Sequence, residues 1–131
     1  MKYIAIDLGL KRIGLAYGAY KDLVTPLKAI ERKNRNQAAA EVKSILKEWE
    51  AQAIVVGIPL GGSSEDEMRR RVEHFMKLVD FKGEVFYQDE SNSSVEAESM
   101  IKGEMKYIRD GRVDSISAMI ILQRFLNAKT V

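Results

Sequence analysis

Ile54-Val55-Val56 is a continuous β-branched run closed by Gly57 and Pro59. Such a run reads as a strand buried on both faces, which places it inside a parallel sheet. A strand covered on both sides needs helices above and below it, and the flanking segments supply them. Upstream, Ala38, Val42, Ile45, Leu46 and Trp49 recur at helical spacing, from a predicted cap at Asn36 to an end near Glu50. Downstream, Ser64 and Glu67 have capping-box spacing, and Met68, Val72, Phe75, Met76 and Val79 line one face of a second helix that Gly83 is expected to break.

The chain before this unit has a different period. Lys2 to Leu8, Ile13 to Tyr17 and Leu23 to Ile30 are short β-type runs separated by turns, an antiparallel meander with Pro26 marking its third strand as an edge. After the second helix, Glu84 to Gln88 reads as a fifth strand. Ser93 and Glu96 repeat the capping-box spacing before a short helix ending near Gly103, and Val113 to Leu126 is apolar enough for a well-buried helix. The order βββαβαβαα predicts an α/β fold with one mixed five-stranded sheet flanked by helices. At 131 residues and 46% apolar composition, the chain is expected to form one domain over 1–131 with an adequate core. The absence of cysteine excludes disulfides, thiolate metal sites and a cysteine nucleophile. The apolar stretch Tyr3 to Ile6 is too short for a signal core or a membrane span, so no membrane partner and cytoplasmic residence are expected.

In mixed sheets of this kind ligands collect beyond the carboxyl ends of the parallel strands. Asp7 ends the first strand, on the same face as Tyr3 and Ala5, where an unpaired buried carboxylate is costly; capping of the Leu8-Gly9 turn is its structural explanation. Asp89-Glu90 follows the fifth strand, with the N-terminus of the Ser93 helix as an alternative partner. Asp114 stands three residues before Ser117 and suits an N-cap of the last helix. Together Asp7, Glu90 and Asp114 offer three hard oxygen ligands from distant segments. They suit two Mg²⁺ or Mn²⁺ ions and metal-assisted phosphodiester hydrolysis. Residues 10–36 hold seven bases against two acids, a net +5 within a chain of net +2, and this positive field suits a polyanion partner. His74, the only histidine, falls mid-helix and reads as a surface or packing residue, and Arg69-Arg70-Arg71 as a solvated face or a phosphate-binding strip.

Ile4-Ala5-Ile6-Asp7-Leu8-Gly9-Leu10-Lys11-Arg12-Ile13-Gly14-Leu15-Ala16 resembles the opening motif of the YqgF/RuvX family. Val55-Val56-Gly57-Ile58-Pro59-Leu60 is similar to that family's fourth-strand motif, Asp89-Glu90 to its acidic pair, and Val113 to Ala118 to its closing helix. The resemblance implies an RNase H-like fold. It also implies a nuclease that matures the 5′ end of pre-16S rRNA or, alternatively, resolves Holliday junctions. Asp7, Glu90 and Asp114 become catalytic metal ligands on this reading, with Asp89 as a helper and Lys11 and Arg12 near the phosphates. Arg32, Lys33 and Arg35 extend the nucleic-acid-binding set toward structured RNA or branched DNA, bound by a monomer or a homodimer. Two departures stand out: Ser91-Asn92-Ser93-Ser94 replaces an arginine and a threonine-rich stretch, and Gly61-Gly62 follows Pro-Leu where many relatives have asparagine. The same Asp-Leu-Gly opening occurs in actin-like and sugar-kinase ATPases, but those need two such domains. A non-enzymatic RNA-binding assembly module is the remaining alternative.

Overall fold

The computed structural model describes residues 1–20, 23–91, 95–97, 99 and 111–129. Its elements are β1 (Tyr3–Leu8), β2 (Arg12–Tyr20), β3 (Leu23–Glu31), α1 (Arg35–Glu48), β4 (Ala53–Ile58), α2 (Glu65–Val79), β5 (Glu84–Asp89) and α3 (Arg112–Lys129). The sheet order is β3-β2-β1-β4-β5, with β1, β2 and β3 antiparallel and β4 and β5 parallel to β1. Pro26 therefore lies on an edge strand, the place in a sheet that tolerates proline. Every residue of β4 is buried, as the β-branched run requires.

Strand alternation divides the core in two. Ile4, Ile6, Leu8, Ile54, Val56 and Ile58 pack with α1 and α2. Tyr3, Ala5, Ala53 and Val55 face the other way and pack with Ala118, Ile121, Leu122 and Leu126 of α3. Where α3 comes closest to the sheet, at Gly14, Gly18 and Gly57, the strands carry no side chain. A Cβ on Gly14 would sit 2.0 Å from the Asp114 carbonyl oxygen, a backbone atom with no freedom to yield. Gly14→Ala is accordingly expected to cost about 1–3 kcal/mol or more through overpacking, read as a lower urea midpoint.

Local chemistry revises several helix ends. Helix α1 is capped by Asn34 rather than Asn36: Asn34 Oδ1 accepts from the Gln37 amide at 2.7 Å while Gln37 Oε1 accepts from the Asn34 amide. Ser64 makes no side-chain cap bond, since its φ of −94° and ψ of 1° are not the extended conformation a cap requires. The loop before α2 is instead tied by Glu65, whose Oε1 accepts from the Gly61 amide at 2.7 Å. Helix α2 stops at Asp80 in the left-handed region (φ 56°), before Gly83 is reached. Asp114 is the third residue of α3, inside the helix rather than its N-cap. The cap predicted at Ser93 and the stop near Gly103 lie outside the described residues. Among the described residues no helix is long and apolar enough to cross a membrane.

Candidate active site

β1 delivers Asp7 to the carboxyl end of the central strand, on the α3 side. Its cross-strand neighbour is Gly14, and the backbone of Asp114 lies directly over that glycine. The absent side chain at position 14 is what lets the first turn of α3 approach Asp7. Glu90 arrives from the other direction. Its amide donates to the Ile58 carbonyl at 3.0 Å, carrying the β4–β5 ladder one residue past β5. Its side chain lies across Gly57, where an added Cβ would stand 3.1 Å from Glu90 Oε2 and 2.4 Å from Ile121 Cδ1. Glycine at 57 opens the passage over β4 by which Glu90 reaches Asp7.

The two carboxyl groups share a hydrogen bond. Burial, and then the negative charge of Asp114, push Asp7 up to about 6, against the lowering effect of the Glu90 hydrogen bond. Burial, and then the charge of Asp7 and their hydrogen bond, push Glu90 up to about 8. Near neutrality the pair therefore keeps a proton, as two carboxyls must when they meet in a poorly solvated place. Asp114 sits close enough to act on Asp7 but is held by Arg12, whose Nε donates to Asp114 Oδ2 at 3.0 Å. Among the described residues no set of three carboxylate or imidazole groups is already close enough to hold one ion. The arrangement is a touching pair with a third carboxylate beside it.

Asp89 has different work. Its Oδ1 accepts from the Ser91 hydroxyl (2.7 Å), the Ser91 amide (3.1 Å) and the Leu60 amide (3.3 Å), and the Ser91 bonds hold its carboxyl below the usual range. It ties the end of β5 to the loop after β4. Arg124 also acts on this segment: its guanidinium donates to the Asp89 carbonyl (3.3 Å), the Ser91 carbonyl (2.9 Å) and Glu96 Oε1 (2.8 Å). Sequence reasoning passed over Arg124. Its signal was present, since it is the only charged residue between Asp114 and Lys129.

The basic candidates separate. Lys11 is exposed in the β1–β2 turn and Arg12 lies on the carboxylate side. Arg32 and Arg35 line a cleft by α2, whereas Lys33 is exposed at the α1 cap.

This mixed sheet with its helices is similar to two solved structures. One is that of T. thermophilus RuvC in complex with Holliday junction substrate (TM-score 0.60, 13% identity, 99% of this chain and 96% of that one). The other is the Fowlpox virus Holliday junction resolvase (TM-score 0.54, 13% identity, 96% and 100%). The likeness establishes the RNase H-like fold. A relative from Sulfurimonas denitrificans is 81% identical over 129 residues, covering 98% of this chain and 99% of its own, and is named "Putative pre-16S rRNA nuclease". A relative from Campylobacter lari, 54% identical over 125 residues with 95% and 97% coverage, bears the same name. The family model described as "RuvX: Holliday junction resolvase" matches residues 1–128, and with these relatives it establishes that the chain belongs to the RuvX family of nucleic-acid hydrolases.

Proposed function

We propose that this chain is a divalent-metal-dependent endonuclease that hydrolyses phosphodiester bonds in 5′-end maturation of pre-16S rRNA. The observation that carries the reading is the contact between Asp7 and Glu90 at the carboxyl end of the sheet, with Asp114 adding negative charge from α3. Among the described residues no lysine or arginine forms an ion pair with either member of the pair. Crowded, half-desolvated hard oxygens without a cation are a donor set that Mg²⁺ or Mn²⁺ fits. Asp7, Glu90 and Asp114 would hold one or two such ions. When bound, these ions supply a Lewis acid for a phosphoryl oxygen and an activated water for in-line attack.

The residues of the chain do the rest. Asp7 and Glu90 would have to give up their shared proton to hold such an ion, since metal ligands are ionised carboxylates. The first turn of α3 carries Asp114 over Gly14 towards the pair, where it would be a further ligand beside its bond to Arg12. Arg12, beside Asp114, and Lys11, exposed in the β1–β2 turn, would meet the phosphates beside the scissile bond. Arg124 and Asp89 hold the chain around Glu90 from two sides, which fixes where its carboxyl points.

The names of the relatives favour the RNA substrate. The family description favours a second reading, resolution of Holliday junctions by a two-fold dimer. The purified chain with Mg²⁺ or Mn²⁺ is expected to cut an RNA spanning the 5′ end of 16S rRNA at a defined position, and EDTA to stop it. Paired symmetric nicks in a four-way DNA junction, with the RNA left whole, move the assignment to resolution. RNA binding without cleavage in either ion ends the nuclease reading and leaves an assembly module.

A further inference from the structure

On the sheet face opposite Asp7 and Glu90, α1, α2 and the chain after β3 enclose a cleft of about 340 Å³. Arg32, Arg35, Arg70, Arg71 and His74 line it above an apolar floor of Leu8 and Phe75, and among the described residues no acidic one does. The contrast with the rest of the surface is informative. Arg12, Arg69 and Arg124 each hold a carboxylate. Among the described residues none of the four arginines in the cleft is in an ion pair.

These cations are also positioned. Arg32 donates through Nη1 to the Gly9 carbonyl at 2.7 Å and lies over the Phe75 ring at 5.5 Å. Arg35 Nη1 stands 3.4 Å from His74 Nε2, and Arg71 Nη1 lies 3.2 Å from Met68 Sδ. Burial, and then the like charges of Arg71 and Arg35, lower the Arg32 pKa. A solvated face spreads its charges apart on a convex surface. Here guanidinium groups from three segments converge on a concavity at an electrostatic cost, and an anion of more than one charge removes that cost.

The position of the cleft identifies the anion. Leu8 lies in its floor and Asp7 belongs to the carboxylate pair; they are consecutive residues of β1 on opposite faces of the sheet. The cleft and the carboxylates thus share one strand end. We infer that this cleft anchors backbone phosphates of the nucleic-acid strand that lie beyond the bond being cut, as the strand passes around the carboxyl end of β1. The inference rests on the nuclease reading.

The test uses the full chain carrying Arg35→Gln and Arg71→Gln. Among the described residues neither side chain is in an ion pair, so thermal melting should match the parent; Arg70→Gln is the second variant should the pair melt early. Binding of a fluorescent single-stranded RNA is followed by anisotropy over a series of salt concentrations, with inorganic pyrophosphate titrated in parallel. The double variant is expected to bind RNA at least about tenfold more weakly. The slope of log K against log salt should be shallower by about 1.4, the value for two lost phosphate contacts on a single strand. An unchanged slope and affinity, with the parent still cutting RNA, overturns the anchor and leaves the nuclease assignment intact. Loss of pyrophosphate binding with RNA affinity unchanged overturns it too, in favour of a small-phosphate site. A parent that binds no RNA removes the nuclease reading first and this inference with it.

Discussion

Asp7→Asn is expected to lower phosphodiester cleavage by on the order of 10³-fold while RNA affinity stays within a few-fold of the parent. Asparagine keeps the size and a carbonyl oxygen of aspartate, so the strand end and the contact with Glu90 survive. It loses the anionic oxygen that a divalent ion needs and half of the charge crowding that makes the site selective for one. Glu90→Gln should fall as far, because the two carboxyls act as one unit and removing either empties the same function. Asp89→Asn separates this account from a general need for acidity at the sheet end. The Asp89 carboxyl is spent on Ser91 and the Leu60 amide, so its amide should cost less than about tenfold, through looser placement of Glu90. Initial rates with Mn²⁺ on the 16S precursor RNA measure all three. Cleavage by Asp7→Asn at the parent rate would place the chemistry elsewhere.

That Asp89-Glu90 reaches the same end of the sheet as Asp7 was legible because it depends on period and order alone, whereas which of the two acids meets Asp7 was not. Alternation in Tyr3–Leu8 assigns Asp7 to one face, and a parallel β1–β4–β5 arrangement puts the residue after β5 at the same end. The buried run in β4 and the edge position of Pro26 follow from equally local physics. Features decided by side-chain competition were not legible. Asn34 and Asn36 are both good caps, and only the reciprocal bond from Gln37 chooses between them. Gly83 offered the expected helix stop, but Asp80 tolerates the left-handed conformation well enough to end α2 three residues earlier. The run Arg69-Arg70-Arg71 could not be divided in sequence, since successive helical residues point about 100° apart. In the fold Arg69 turns to Glu65 and the Tyr87 ring, while its two neighbours enter the cleft. The Arg12 contact that occupies Asp114 was also invisible, because it joins residues 102 apart.

The charge crowding that prepares the site for a cation has a cost that the metal-free protein should display as a pH-dependent loss of stability. In the unfolded chain Asp7 and Glu90 release their protons near the ordinary values of 3.8 and 4.5; in the fold they hold them to about 6 and about 8. Between these ranges the folded state binds more protons than the unfolded state, so unfolding becomes easier as pH rises. The penalty is absent below about pH 4, grows through the folded values and is complete above about pH 8. Asp7, the more buried of the two, accounts for roughly 3 kcal/mol; the partly exposed Glu90 adds less than its nominal shift, because solvent screens it. In EDTA the urea midpoint of the parent should therefore decline from pH 5 to pH 8.5. Asp7→Asn should decline much less and overtake the parent by about 1–3 kcal/mol at neutral pH. Millimolar Mn²⁺ should restore the parent by mass action on the folded state and leave Asp7→Asn where it was. Parallel pH profiles for the two proteins would mean that the carboxyls are not crowded in solution and have no need of a cation between them. A stability gain on losing Asp7, joined to a loss of cleavage, is the signature of a carboxylate kept for chemistry against the interest of the fold.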